Sequence, residues 1–177
     1  MTDSNSNDID MVEIDTTLPL VVQKFLASGA RLESIKIDSE GRWWHEGGLF
    51  NNERISELFS RSIGRTEGGT WFLEVGPFTY PIEVEDTAFF VRSAVLTGGG
   101  PEDTSERVSI KLSDGTSETL DCATLSHSEG RGFSCLIKAG AYKARFGRSA
   151  FYTLTERLLE TDDGGFALRI GGSDHPV

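Results

Sequence analysis

The feature that most constrains the fold is a pattern that occurs twice. Residues Phe50–Gly76, FNNERISELFSRSIGRTEGGTWFLEVG, align with Phe146–Gly171, FGRSAFYTLTERLLETDDGGFALRIG, with one gap opposite Thr70. Seven of the 26 aligned pairs are identical: Phe50/Phe146, Leu58/Leu154, Arg61/Arg157, Gly68/Gly164, Gly69/Gly165, Leu73/Leu168 and Gly76/Gly171. The pairs Ile55/Phe151, Ile63/Leu159, Trp71/Phe166 and Val75/Ile170 are alike in character. Each copy reads as a helix, a Gly-Gly loop and a strand, and each follows a hairpin that turns on a glycine. Any capped helix and strand would share part of this. The coincidence of helix length, loop and strand predicts a repeat. A chain of 177 residues accommodates one ordinary domain or two small ones. Two half-size units would each be marginal and would need to share an interface. Such interfaces are common places for ligand clefts.

The remaining elements follow from periodicity and turn chemistry. TTLPLVVQKFLASG reads as a short helix capped by Thr16 or Thr17, with Leu18, Val21, Val22, Phe25 and Leu26 as its apolar stripe and Gly29 as its stop. Leu32, Ile35 and Ile37 suggest a strand, Ser39-Glu40-Gly41 a turn, and Arg42 to His45 the return. The central helix is expected from Asn52 to about Ile63, with Asn51 or Asn52 as cap and Glu53 in the first turn. Two strands are expected around Gly76-Pro77, and AFFVRSAVL reads as a strand buried on both faces. The stretch Thr97–Glu106, with three glycines, a proline and several acids, is the best internal boundary. Beyond it come a hairpin at Asp114-Gly115, a second around Ala139-Gly140, a helix capped by Ser149 with Leu158 and Leu159 inward, and a closing strand. The expected fold class is therefore α+β, as two similar small units. Residues 1–16 form an acidic tail, 17–98 the first unit, 99–106 a linker and 107–177 the second unit.

Charge narrows the function classes. The formal net charge is −11, so clustered cations for a nucleic-acid backbone or an anionic membrane surface are not expected. No run approaches the roughly 18 apolar residues of a spanning helix. The opening MTDSNSNDIDMVEID is acidic and polar, unlike a secretory signal, so a cytoplasmic protein is expected. Cys122 and Cys135 accord with that; a disulfide between them is left open by the sequence, although a reducing compartment opposes one. No Cys-x-x-Cys or His-x-x-x-His pair is present to bind zinc, and neither metal nor cofactor is expected. The phosphate loop, the Gly-x-Ser-x-Gly elbow and His-Glu-x-x-His are all missing.

At GRWWHEGGLF, ISELF, TWFLEV and PIEVEDTAFF the chain resembles the bacterial domain-of-unknown-function family 1285. Gly41, Trp43, His45, Gly47, Leu58-Phe59 and Ile82-x-Val84-Glu85-Asp86 carry the resemblance, which runs from about Leu32 to Ile170. There are departures. Ala88-Phe89 stands for an Ala-Pro-Phe-like step, VGPFTYP for a polar turn, and the Leu18–Gly29 helix for a proline-rich entry. The resemblance implies a small α+β protein of two similar units, no established enzyme activity, and a binding or signalling role by analogy.

The candidate ligand-binding residues are Trp44, His45, Arg61, Glu85, Asp86 and Arg157. Trp43 and Trp44 point to opposite sides of a strand, one to the core and the other to a surface. A histidine at position 45 could act as a switch or general base. If its strand lies beside that of Glu85, the carboxylate could orient it. Glu83, Glu85 and Asp86 also read as a solvated strand face ending in a turn. Arg61 and Arg157, at equivalent repeat positions, suit an anion or a partner's carboxylate; ordinary helix-surface charge is the plainer alternative. Cys135 reads as a small hydrophobe rather than a nucleophile. The main functional expectation is a non-catalytic binding or signalling module with a cleft between its units, taking an unknown small molecule or protein. No catalytic residue is assigned, and self-association into a homo-oligomer is left open. The alternative is a hydrolase-like enzyme using a His–carboxylate pair with or without a divalent metal. A third reading is a structural subunit, which would need a large exposed apolar patch.

Overall fold

The computed structural model describes residues 14–29 and 34–177. Most of the expected acidic tail, and Leu32 of the expected first strand, lie outside the described residues. Helix α1 (Leu20–Ala27) starts on Pro19, whose fixed φ of −53° suits a helix entry, and not on a threonine cap. Thr17 instead donates its hydroxyl to Asp15 and accepts from the Gly68 N–H. The apolar stripe of α1 is split: Leu18 and Val22 are buried, whereas Val21 is 74% exposed.

A three-strand meander follows, β1 (Ile35–Ile37), β2 (Trp43–His45) and β3 (Gly48–Leu49). Helix α2 (Glu53–Arg61) is capped as its sequence requires, by the Asn52 side chain accepting from the N–H groups of Arg54 and Ile55. It stops earlier than Ile63, because Ile63 is recruited into β4 (Ile63–Arg65) opposite Leu73. Next come β5 (Trp71–Val75), β6 (Phe78–Pro81) and β7 (Glu83–Val84), then β8 (Phe89–Thr97), β9 (Arg107–Leu112) and β10 (Ser117–Thr119). After a short 3-10 turn at Cys122–Thr124 follow β11 (Ser126–Ser128), β12 (Gly132–Ile137) and β13 (Tyr142–Phe146). Helix α3 (Arg148–Thr155) and β14 (Leu158–Glu160), β15 (Phe166–Ile170) and β16 (Ser173–Pro176) close the chain. The cap of α3 is Gly147, not Ser149, and Leu158 and Leu159 lie in β14 rather than on the helix.

The strands form four sheets, ordered β3-β2-β1-β7, β4-β5-β6, β10-β9-β8-β13-β12-β11 and β14-β15-β16. The architecture is α+β. Residues 98–106 join β8 to its antiparallel neighbour β9 within the six-stranded sheet. One core runs through the molecule, from Ile37 and Trp43 through Phe89, Phe90 and Val91 to Leu154 and Leu168.

The segments after α2 and α3 share one backbone pattern. Glu74 N–H bonds the Ser62 carbonyl as Arg169 bonds Arg157, and Thr66 bonds Thr70 as Thr161 bonds Gly165. Ile82 bonds Trp71 as Val177 bonds Phe166. Each of these equivalences spans 95 positions without a gap. The identity-based alignment is therefore one residue out of register across the helices. It matches Leu58, 51% exposed, with the fully buried Leu154, whose backbone equivalent is Phe59. Arg61 and Arg157 are accordingly not equivalent; Ser62 answers Arg157. An amphipathic helix shifted by one position retains some chance matches, and these drew the alignment off.

Candidate functional site

The first hairpin divides its tryptophans as alternation demands. Trp43 points inward, edge-on to Phe59 with ring centroids 5.3 Å apart, and donates its indole N–H to Ser60 Oγ at 3.2 Å. Trp44 is half-buried opposite Lys36 and donates to Asp38 Oδ2 at 2.8 Å. Asp38, itself buried, also accepts from the N–H groups of Glu40 and Arg42 and from Arg42 Nε. Burial alone would raise its pKa. The hydrogen bonds from Arg42, Trp44 and Glu40 outweigh that and bring it down to about 2. Trp44 is thus tied into the turn that it follows.

The six candidates do not converge. Strand β1 lies between β2 and β7, so the strands of His45 and Glu85 are not neighbours. His45 pairs with Ile35 at one end of β1, whereas Glu85 N–H bonds the Ile37 carbonyl at the other. The His45 ring lies 5.7 Å from that of Phe50. Glu85 holds Lys36 Nζ at 2.8 Å and the Ser39 N–H at 3.0 Å, and these bonds lower its pKa. Asp86 bridges Arg131 at 2.7 Å and Arg145 at 2.8 Å. Arg157 is paired with the buried Glu106, Nη2 to Oε1 at 2.9 Å, so it serves an internal ion pair. Arg61 reaches across to the Asp114 carbonyl at 2.8 Å and to Glu57 at 2.5 Å.

Of the six, Arg61 lies nearest a cleft beside α2, since it holds Glu57 and contacts the turn at Asp114-Gly115. This cleft, about 480 Å³ in volume, separates α2 from the face of β8 and β9. Glu53, Ser56, Glu57 and Ser60 form its helix wall; Arg92, Ser93, Lys111 and Ser113 form its sheet wall. The sheet wall is shaped by an irregularity. Val91 pairs with Leu112 and Ser93 with Lys111, so Arg92 is the extra residue of a β-bulge. Bulges re-aim side chains and occur often beside functional sites. Arg92 donates from Nη2 to the Gly41 carbonyl at 2.8 Å and lies over the Phe90 ring. Desolvation lowers its pKa, with Asp38 opposing, but an arginine remains charged at any physiological pH.

Arg92 and Lys111 did not emerge from the sequence. Reading AFFVRSAVL as doubly buried passed over the arginine, although a charge inside an apolar strand was itself the signal. Periodicity does not reveal a bulge. Among the described residues no group of three or more His, Cys, Asp or Glu side chains could hold a metal ion. Cys122 and Cys135 are free thiols, and burial pushes the Cys135 pKa up to about 12, so it is not a thiolate at neutral pH. No helix among the described residues is long and apolar enough to cross a membrane.

Fold and cleft together define an α+β protein with a polar, hydroxyl-lined groove. Its architecture is shared with two crystal structures of DUF1285 family proteins. One, from Silicibacter pomeroyi DSS-3, is 22% identical, with a TM-score of 0.63 over 82% of this chain and 79% of that one. The other, from Shewanella baltica OS155, is 16% identical, with a TM-score of 0.52 over 71% of this chain and 92% of that one. No family model matches the sequence, and no curated protein matches it. The resemblance to the DUF1285 family is carried by the fold.

Proposed function

We propose that the chain is a non-catalytic binding module of the cytoplasm, and that its ligand occupies the cleft between α2 and the β8–β9 face. The observation that carries this reading is the cleft itself. Its volume, about 480 Å³, falls in the range of small-molecule sites. Its walls come from both sides of the expected internal boundary, α2 and β8 before it and β9 after it. The rival hydrolase reading depended on His45 meeting Glu85 or Asp86. Glu85 is engaged by Lys36 and Ser39, and Asp86 by two arginines.

The test is native mass spectrometry of the freshly purified chain beside Ser56→Trp, which places an indole in the cleft from the helix wall. A small molecule retained by the wild type and lost from Ser56→Trp supports the reading. Identical spectra of the two, together with unchanged binding of every compound in a thermal-shift screen, would sink it.

A further inference from the structure

Resting on that reading, we propose that the cleft takes a phosphate monoester of a polyhydroxylated small molecule, with the phosphate against the β8–β9 wall. Four groups of the cleft support this assignment. Arg92 and Lys111 both line the sheet wall, Arg92 with Nη2 bonded to the Gly41 carbonyl, and neither meets a carboxylate within ion-pair distance among the described residues. The other two are hydroxyls whose orientation is set from behind. Ser60 Oγ accepts the Trp43 indole N–H at 3.2 Å, and Ser113 Oγ accepts the Phe90 backbone N–H at 3.2 Å. Each oxygen is thus used as an acceptor by a group of the core. Neither hydroxyl donates to a protein acceptor among the described residues, so each has its proton to offer the cleft. A guanidinium, an ammonium and two O–H donors on adjoining walls match an oxyanion with several acceptor oxygens, which phosphate provides and a neutral ligand does not.

The opposite wall defines the rest of the ligand. Glu53 and Glu57, the second held by Arg61, line that wall and repel the anionic end, which sets the ligand's direction across the cleft. No aromatic side chain lines the space, so nothing there would stack on a nucleobase. The lining is dominated by hydroxyls and charges, as suits a sugar-like body rather than an apolar one.

The experiment is calorimetric titration of the full chain with glucose 6-phosphate, inorganic phosphate, glucose and adenosine monophosphate, repeated on Lys111→Gln and Ser56→Trp. The Lys111 side chain makes no hydrogen bond or ion pair among the described residues, so its neutralisation leaves the fold intact, and an unchanged melting temperature checks this. The expected result is saturable binding of glucose 6-phosphate, at least tenfold tighter than either inorganic phosphate or glucose. Adenosine monophosphate should bind no better than inorganic phosphate. Lys111→Gln should weaken glucose 6-phosphate about tenfold, the scale of one charge-assisted hydrogen bond, and Ser56→Trp should abolish it. Binding of glucose 6-phosphate no tighter than glucose, or indifferent to Lys111→Gln, overturns the phosphate assignment. If a co-purifying molecule is still displaced by Ser56→Trp in that event, the cleft remains a binding site for another chemistry. If Ser56→Trp displaces nothing, both readings fall together.

Discussion

Gly41 shows how much one residue can be asked to do. Its φ of +75° lies in the left-handed region, which side chains other than glycine seldom adopt. A Cβ there would stand 2.5 Å from Phe90 Cδ2, and its carbonyl holds Arg92. The turn of the first hairpin is therefore pressed onto β8 beside the cleft. Gly41→Ala should cost about 2–4 kcal/mol, combining overpacking with a left-handed backbone penalty. Gly47→Ala, at φ +77° with open space around it, should cost only about 1 kcal/mol. Urea denaturation of both variants checks this, and equal losses would refute the packing account. Asp38 makes a prediction about pH. Its folded pKa, about 2, lies below its value in the unfolded chain, so the folded state binds fewer protons. The stabilisation is present above about pH 4 and is lost as pH falls towards 2, on the order of 2 kcal/mol. Asp38→Asn should flatten that part of the stability profile relative to the wild type. Parallel acid curves for the two proteins would remove Asp38 as a cause. Asp114 adds acid sensitivity of the same sign: burial raises its pKa, but Lys138 and Thr116 more than offset this.

At the scale of elements, the two helices begin by different means. Asn52 caps α2 with its side chain, whereas α3 starts on Gly147 with no side-chain bond. Asn52→Ala should destabilise by about 1 kcal/mol, while Ser149→Ala should change stability by less than about 0.5 kcal/mol. Thermal unfolding of the pair measures this, and a larger effect at Ser149 would contradict the observed helix start. Both helices stop where a hydrophobic residue is worth more to a strand than to another helical turn. Ile63 and Leu158 each leave the helical pattern to pair across a meander, with Leu73 and Leu168 respectively. The shared hydrogen bonds beyond them, 95 positions apart, show that the meanders correspond more closely than the helix sequences do.

Across the whole molecule, long-range ion pairs tie distant segments together. Glu106, immediately before β9, is 1% exposed and receives Arg157 from beyond α3. Removing one partner of such a pair leaves a buried charge without compensation. Arg157→Ala is expected to cost about 3–5 kcal/mol, whereas the double replacement Glu106→Met with Arg157→Met should recover most of that loss. Chemical denaturation of the single and double variants decides it, and additive losses would mean that the pair is not the relevant unit. Arg61 plays a looser part. Its bond to the Asp114 carbonyl joins the end of α2 to the β9–β10 turn and so helps set the width of the cleft.

The mixed α+β class, the Asn52 cap, the hairpins at Gly41, Gly76-Pro77 and Asp114-Gly115, and the alternation of Val108, Ile110 and Leu112 were all legible in the chain. Each depends on a local rule: a short polar side chain facing free N–H groups, a residue that tolerates positive φ, or a period of two. The candidate site was much less legible. His45 and Glu85 are kept apart by the insertion of β1 between β2 and β7, a matter of sheet order. Arg157 is claimed by Glu106, 51 positions away, and Asp86 by Arg131 and Arg145. The cleft arises because α2 stands off a sheet face that a bulge at Arg92 has reshaped. The sequence by itself determined the elements and their turns, because those are decided within a few residues along the backbone. Only the tertiary structure decided which charges meet and which stay open to a ligand, because pairing depends on strand order and register between segments far apart in the chain.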